Sequence, residues 1–199
     1  MKRIIVSIST IIALALPLVA SAATWTIDPD HSNVGFKVRH LMVSNVSGSF
    51  EKHSGTVEIN DKDITKSRVE VSIDTSSINT HVQKRDEDLR SANFFDVAKY
   101  PAMTFVSKKV AKAGKDKLKV TGYLTLHGVT KEVVLDVEGP SKESKDPWGV
   151  IRCGATATTK INRKDFGLLW NKSLETGGVV VGDEVNITLE IEMIKGPPK

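Results

Sequence analysis

Residues 117–138 read KLKVTGYLTLHGVTKEVVLDVE, and this stretch decides the fold. Leucine and valine recur at alternate positions through much of the sequence on either side of the dipeptide His127-Gly128. Successive residues of a strand point to opposite faces, so this spacing predicts two strands that each have one apolar and one polar face. The dipeptide between them is typical of a tight hairpin turn.

The same alternation recurs along the chain after residue 24. It predicts strands at about residues 24–28, 33–40, 48–60, 67–75, 102–110, 117–127, 131–139, 149–161 and 184–194. Strands with one apolar face must cover that face, and closing the sheet into a barrel does so while removing its exposed edges. We therefore predict an all-β fold, an antiparallel barrel of about eight strands. A two-sheet sandwich is the alternative, since alternation alone does not separate the two.

One segment departs from the strand pattern. Residues 80–83 read THVQ and resemble a capping box, in which the Thr80 hydroxyl meets the Gln83 amide and the Gln83 side chain reaches back. Good helix formers continue to Arg90, and Pro101 marks a stop. We predict one helix near residues 81–91, within a long connection. An apolar plug is expected to follow it, formed by Phe94, Phe95 and Val97.

The first 22 residues have the features of a cleavable secretory signal: a basic start, a short apolar run and the small-residue site Ala20-Ser21-Ala22. Removing them leaves one domain at 23–199, with 26 basic against 24 acidic residues. This near-neutral balance argues against nucleic acid as a partner. The signal predicts a periplasmic location. Because Cys153 is the only cysteine, the fold must be stable without an internal disulfide.

The five histidines are the first candidates for catalysis or metal binding, but their spacing fits no zinc motif, and we predict neither a metal site nor catalytic residues. His31 and Ser32 with an aspartate would make a conceivable triad, although no nucleophile elbow is present. His40 shares strand parity with Val34, Phe36 and Val38 and is expected either to face the interior or to be a hydrogen-bonded residue at a strand end. Cys153 is expected to be a small, buried, unreactive residue.

Two charged stretches allow more than one interpretation. Residues 84–90 are expected to form a solvated helix face, or to hold the helix over the barrel mouth. A lysine-rich stretch at 108–119 predicts a solvated hairpin, with transient contact to an anionic membrane surface as the alternative. The six phenylalanines are core residues by default, but a lined cavity would use the same residues. Sequence physics therefore leaves open whether the barrel is filled or hollow.

Several short motifs together resemble the YceI-like polyisoprenoid-binding family. They are spread over about residues 25–194: Trp25-Thr26-Ile27-Asp28-x-x-His31-Ser32, Phe36-x-Val38-x-His40, Gly48-x-Phe50, Asp88-Leu89-Arg90-Ser91-x-x-Phe94-Phe95-Asp96, Tyr100-Pro101-x-x-x-Phe105, Gly122-x-Leu124-Thr125-Leu126-His127-Gly128-Val129-Thr130-Lys131, Arg163-x-Asp165-Phe166-Gly167 and Val181-Gly182-Asp183-Glu184-Val185. The resemblance implies a lipocalin-like barrel with an elongated apolar pore that holds a prenyl chain. It also implies secretion.

This resemblance leads us to expect a secreted carrier or storage protein for a polyisoprenoid, such as a prenyl quinone, or for another long-chain lipid. We expect no covalent chemistry and no cofactor besides the bound lipid. The expected pore-lining residues are Phe36, Val38, Phe50, Phe105, Leu124 and Phe166, with Phe94 and Phe95 near one end. For the head group we rank His40 first, Arg85 second and His31 third. Arg90 is a weaker candidate, because it can instead pair with Asp86 at helical spacing.

Two other functions remain alternatives at this point. One is an enzyme that modifies an isoprenoid or other lipid, with His31 or His40 as the base. The other is a stress-related structural β protein whose barrel is filled and binds nothing. The sequence does not decide between a monomer and a homodimer.

Overall fold

The computed structural model describes residues 22–175 and 177–196. Twelve strands and one α-helix (α1, Gln83–Arg90) make up its regular structure. The strands are β1 (Ala23–Ile27), β2 (Asn33–His40), β3 (Ser44–Phe50), β4 (His53–Ile59), β5 (Arg68–Asp74), β6 (Ile78–Asn79), β7 (Ala102–Gly114), β8 (Lys117–Leu126), β9 (Val129–Glu138), β10 (Ser144–Lys145), β11 (Ile151–Asn162) and β12 (Val181–Lys195). The predicted signal peptide lies outside the described residues, apart from Ala22.

The strands form one antiparallel sheet that closes on itself. Its order runs β11-β9-β8-β7-β5-β4-β1-β12, and β11 also pairs with β12, which completes the ring of eight. The pairing of β11 with β12 is continuous from Arg152 with Ile194 to Asn162 with Glu184. Closure of this kind confirms the barrel and excludes the two-sheet sandwich.

At two positions in the barrel wall, two consecutive strands together take the place of one long bent strand. β12 pairs with β1 near its carboxyl end and with β2 over most of its remaining length, so β1 and β2 act as one strand interrupted by a 3-10 turn at Pro29–His31. β3 and β4 form a second such pair, broken at residues 51–52. The single strand predicted at 48–60 is therefore wrong, because β3 pairs with β2 whereas β4 pairs with β1.

The predicted hairpin at His127-Gly128 is confirmed. Both residues have positive φ, at 51° and 74°, and the flanking residues Leu126 and Val129 are paired. This is the backbone of a tight type I′ connection between twisted strands. β8 and β9 pair along their full lengths, so residues 117–138 form one of the longest hairpins of the barrel.

The α-helix is close to its predicted position, but the predicted capping box is absent. Val82 is the residue that precedes the helix, and its side chain makes no capping hydrogen bond. Thr80 instead donates its hydroxyl to Asp86 Oδ1 at 2.5 Å and its backbone N–H to the same oxygen at 2.9 Å. His81 has a φ of 62°, so the chain changes direction between Thr80 and the helix. Thr80 therefore contacts the side chain of Asp86 on the side of the helix and does not cap the N–H groups of the first turn.

Candidate functional site

The inner faces of the barrel enclose an apolar cavity of about 290 Å³. Protein cores contain few voids larger than one water molecule, whose share of liquid volume is about 30 Å³. A space of this size is therefore a cavity and not a packing defect. Its lining is aliphatic and aromatic with few exceptions among the described residues. The exceptions with polar or charged side chains are His53, Ser67, Thr159 and Arg163.

Most of the pore-lining residues expected from the sequence border this cavity. They are Phe36, Val38, Phe50, Phe94, Phe95, Phe105 and Leu124. Two of the rings lie over glycines of neighbouring strands. A Cβ atom on Gly122 would come within 2.4 Å of the Phe105 ring, and one on Gly48 would come within 2.6 Å of the Phe36 ring. The absence of a side chain at these two glycines lets the rings lie against the barrel wall.

The plug after the helix closes around one end of the cavity. The Phe95 ring meets the Phe50 ring edge to face, with centroids 5.5 Å apart, and the Phe94 ring lies 5.2 Å from the Trp170 ring. The backbone is held in place because Phe95 N–H donates to the Leu89 carbonyl at 2.9 Å. The helix and the two phenylalanines that follow it therefore form one unit at this end of the barrel.

Phe166 has a different place from the one expected. It is 2 % exposed and belongs to a packed cluster with Leu126 and Leu168, and it is not among the residues that line the cavity. Strand alternation ends at Asn162, and Phe166 closes the 3-10 turn Arg163–Phe166. Its direction is therefore set by that turn and not by the parity of β11.

The head-group candidates also lie outside the cavity lining. His40 is half-buried at the end of β2, paired with Ser44 on β3 and Val181 on β12. Arg85 donates through Nε to the Thr80 hydroxyl at 2.7 Å and through Nη2 to the Thr80 carbonyl at 2.8 Å. Arg85 thus fastens the helix to the segment before it.

Arg90 has a comparable structural role, because it also fastens the helix to the segment before it. It donates through Nε to the Ser76 carbonyl and through Nη2 to the Ile78 carbonyl, both at 2.7 Å. It does not take the role of a partner for Asp86, which is buried and accepts from Thr80. Of the two interpretations of residues 84–90, Arg85, Asp86 and Arg90 therefore fit the one in which side chains hold the helix on the barrel.

His31 belongs to a charged cluster on the outer surface. Its Nδ1 lies 2.9 Å from Asp28 Oδ2, and the hydrogen bond to Asp28 raises the pKa of His31. Burial alone would raise the pKa of Asp28, but hydrogen bonds from Arg152 and His31 outweigh it and lower that pKa. Arg152 Nη1 lies 2.6 Å from both Asp28 Oδ2 and Glu192 Oε1.

This cluster offers three groups with metal-binding atoms, Asp28, His31 and Glu192, within 4.8 Å of one another. The guanidinium of Arg152 already supplies positive charge between the two carboxylates, so the cluster is satisfied as a set of ion pairs. Ser32 Oγ is engaged by the backbone of Glu192, accepting from its N–H at 3.0 Å. The arrangement ties the bend between β1 and β2 to β12 and does not form the conceivable His31–Ser32 triad.

Cys153 is buried, as expected from its parity. It is 5 % exposed and packs with Trp25, Ile27 and Met193. Burial raises the pKa of its thiol to about 11. The neighbouring Arg152 points to the opposite face of β11, where it makes its ion pairs, so it does not activate the thiol.

The lysine-rich hairpin is partly neutralised by the adjacent strand. Lys108, Lys117 and Lys119 form ion pairs with Glu132, Glu138 and Asp136 of β9, at 2.7, 2.8 and 2.6 Å. The sequence pattern did not show these pairs because the acids lie on another strand. The hairpin is thus a wall of mixed charge, which weakens it as a candidate membrane contact.

Two buried polar residues beside the cavity were not expected from the sequence. Arg163 is 4 % exposed and donates through Nε to the Gly182 carbonyl at 2.9 Å and through Nη1 to the Leu168 carbonyl. Burial lowers the pKa of its guanidinium. His53 is 7 % exposed and lines the cavity from β4. A signal for His53 was available, because it shares parity with Val57 and Ile59.

An antiparallel barrel with an apolar cavity inside it and a helix at one end defines the class of lipocalin-like binding barrels. Residues 25–193 match the YceI-like domain family, and the chain belongs to that family. A UPF0312 protein of Vibrio parahaemolyticus is 41 % identical over 170 residues, covering 84 % of this chain and 89 % of the relative. Among the residues described here, no helix has the length and apolar character needed to span a bilayer.

Solved structures show the same fold. A YceI protein of Campylobacter jejuni is 36 % identical with a TM-score of 0.67, over 85 % of this chain and 96 % of that one. A polyisoprenoid binding domain from Saccharophagus degradans, implicated in plant cell wall breakdown, is 17 % identical with a TM-score of 0.62, over 86 % of this chain and 98 % of that one. The second likeness concerns the fold alone.

Proposed function

We propose that this protein is a periplasmic carrier or storage protein that holds a long-chain polyisoprenoid, such as a prenyl quinone, in its barrel. The observation that carries the proposal is the apolar cavity inside the barrel, because a structural β protein with a filled barrel has no use for it. Membership of the YceI-like family supports a binding role, as does the shared fold with a polyisoprenoid binding domain. The proposed location follows from the signal peptide that the sequence predicts at residues 1–22.

Apolar burial is more than sufficient to bind such a ligand. A chain of forty carbons at about 0.8 kcal/mol per buried methylene would gain about 32 kcal/mol before any cost. Non-covalent affinities saturate near ~18–21 kcal/mol, and ordering a flexible chain consumes much of the gross gain. Binding affinity alone would therefore not distinguish lipids of different chain length. Selection among them would depend on whether the pore is long enough for the chain.

We also propose that the protein leaves its ligand chemically unchanged. The enzyme alternative named His31 or His40 as the base, but His31 is held by Asp28 on the outer surface and His40 is not among the cavity-lining residues. Arg85 lies on the helix and His40 at the end of β2, and neither residue lines the cavity. A mass spectrum of lipid recovered after long incubation tests this, since a new product mass would favour the enzyme.

The test of lipid binding is mass spectrometry of an organic extract from gently purified protein. We expect one class of polyisoprenoid in stoichiometric amount. Phe105→Asp places a charge on the cavity wall, where burial of an unpaired charge is strongly unfavourable, and should abolish lipid retention. Val106→Asp is the matched control, because Val106 is the next residue on the outer face and is 44 % exposed. Normal lipid in a folded Phe105→Asp protein would refute the site.

A further inference from the structure

The turn between β2 and β3 exposes apolar side chains at one end of the barrel. It runs from His40 to Val43, with the Val43 N–H donating to the His40 carbonyl at 3.1 Å. Leu41 is 39 % exposed, Met42 37 % and Val43 75 %. Leu41 and Met42 have φ of 49° and 59°, a backbone that favours asparagine and glycine over such side chains. Neither the conformation nor the exposure of this turn therefore favours apolar residues.

Packing accounts for part of this turn. A Cβ atom on Gly178 would come within 2.9 Å of Met42 Cγ, so Met42 packs over that glycine. Met42 therefore has a role in the fold. The exposed side chains of Leu41 and Val43 are not explained in this way, since apolar surface that stays in water adds nothing to the hydrophobic stabilisation of the fold.

A further exposed apolar side chain lies at the same end. Leu169 is 64 % exposed. Its loop is fastened to β12, because Asn171 Nδ2 donates to the Val181 carbonyl at 2.7 Å and the Val181 N–H donates to Asn171 Oδ1 at 3.0 Å. Val181 pairs in turn with His40, the first residue of the turn. Leu169 and the turn at 40–43 therefore share one end of the barrel.

We call Leu41, Val43 and Leu169 the end patch. Single exposed apolar side chains are common on soluble proteins and need no explanation. Several that gather at one end of a barrel, among polar residues, are typical of a surface that binds either another protein or a membrane. The charges around the end patch distinguish these two partners.

The charge beside the end patch is positive. Lys37 and Arg39 are exposed on β2 just before the turn, and Lys172 is exposed in the loop that follows Leu169. This loop is bound to the turn, since the Leu41 N–H donates to the carbonyl of residue 180 at 2.8 Å and the N–H of residue 180 donates to the Lys172 carbonyl at 2.9 Å. Glu175 is an acid of the same loop and offsets one of the three basic charges.

Charges on the neighbouring elements largely cancel. The helix at 83–90 carries three basic and three acidic residues. Lys164 pairs with Asp183 at 2.9 Å, and Lys160 pairs with Glu184 at 3.0 Å. The basic residues beside the end patch therefore set the sign of its field. Apolar side chains flanked by net positive charge match an anionic lipid surface.

We infer that the end patch docks this end of the barrel on an anionic bilayer, with Leu41, Val43 and Leu169 entering its interface. A second copy of the chain is the competing partner, but pairing two such ends would bring like charges together. Val181 lines the cavity as well as pairing with His40, so docking brings this end of the cavity against the membrane. The inference goes beyond lipid binding in the barrel and does not depend on which lipid the barrel holds.

The apolar contribution is tested with the triple variant Leu41→Asn, Val43→Ser and Leu169→Ser. Asparagine suits the positive φ at position 41, and all three side chains are exposed, so the thermal midpoint should be retained. Flotation with phosphatidylethanolamine–phosphatidylglycerol vesicles should show binding weakened at least about tenfold. The control is Val106→Ser with Val134→Ser, which removes exposed apolar side chains from the barrel wall and should leave vesicle binding unchanged.

The charge contribution is tested with Lys172→Glu, which should weaken binding to the same vesicles about tenfold or more. Lys142→Glu makes the same change in net charge at the opposite end of the barrel and should have little effect. Lys142 lies there because the N–H of its neighbour Ser141 donates to the Gly154 carbonyl at 2.8 Å, and Gly154 pairs with Glu192 near the carboxyl end of β12.

Undiminished vesicle binding by the triple variant would overturn the inference, as would equal losses in the triple variant and its barrel-wall control. Equal weakening by Lys172→Glu and Lys142→Glu would also overturn it, because the attraction would then belong to the whole molecule. An unaltered protein that binds no anionic vesicles would do the same, including one that dimerises through the end patch in analytical ultracentrifugation. Lipid recovered from the barrel is measured separately, so any of these results would leave the proposed function standing.

Discussion

Ala157→Leu tests whether the barrel is hollow through the sign of a stability change. Ala157 is 7 % exposed on β11, lines the cavity, and lies opposite Leu189 on β12 and Val137 on β9. The substitution adds three carbons that point into the cavity. In a barrel already filled by side chains, the same carbons would have no room.

The two cases differ by several kcal/mol. Three carbons transferred into an apolar cavity gain at most ~2.4 kcal/mol, at about 0.8 kcal/mol each. Overpacking a filled core instead costs about 1–3 kcal/mol. For a domain of this size, 1 kcal/mol moves the thermal midpoint by roughly 2–4 °C. The hollow barrel therefore predicts a rise of up to about 5–10 °C, and a filled barrel predicts a fall.

The assay is thermal and urea denaturation of delipidated protein, because bound ligand would itself stabilise the fold. Ala113→Leu makes the same change at an exposed position of β7 and should shift stability little. Lipid retained by Ala157→Leu should also decrease, since the leucine occupies space that the ligand needs. A destabilised Ala157→Leu protein that retains normal lipid would refute the reasoning.

Three further outcomes follow from the site and the sequence. Native Cys153 should react with thiol reagents at least about 100-fold more slowly than in denaturant, because raising its pKa from 9.0 to about 11 lowers the thiolate fraction by that factor; rapid native labelling would contradict its burial. The raised pKa of His31 contributes stability that is complete below about pH 6.5 and is lost as the pH rises through the folded value. His31→Gln should therefore differ most from the unaltered protein below about pH 6.5, with the difference shrinking as the pH rises through the folded pKa, in urea denaturation, and a difference independent of pH would refute the pairing with Asp28. Exported protein should begin at Ala23 by intact mass, and a retained leader would show that the signal prediction is wrong.

Much of the cavity wall was predictable from the sequence. Phe36, Phe50, Phe105 and Leu124 were expected to line the pore, and all four do. The inward direction of these side chains follows from the alternation of residues along a strand, and that alternation can be recognised within each short segment of sequence. Phe166 departs from this expectation because a 3-10 turn interrupts the strand before it.

The sequence by itself determined the all-β class, the hairpins, the single helix and the inward position of Cys153. These follow from a period-two pattern and from turn residues, which act over a few neighbouring positions. Only the tertiary structure decided that the barrel closes, that it is hollow, and that the side chains of His53 and Arg163 are buried beside its cavity. These properties depend on which distant strands pair, in which register, and on how much space their side chains leave between them. A local sequence pattern contains no information on these long-range features.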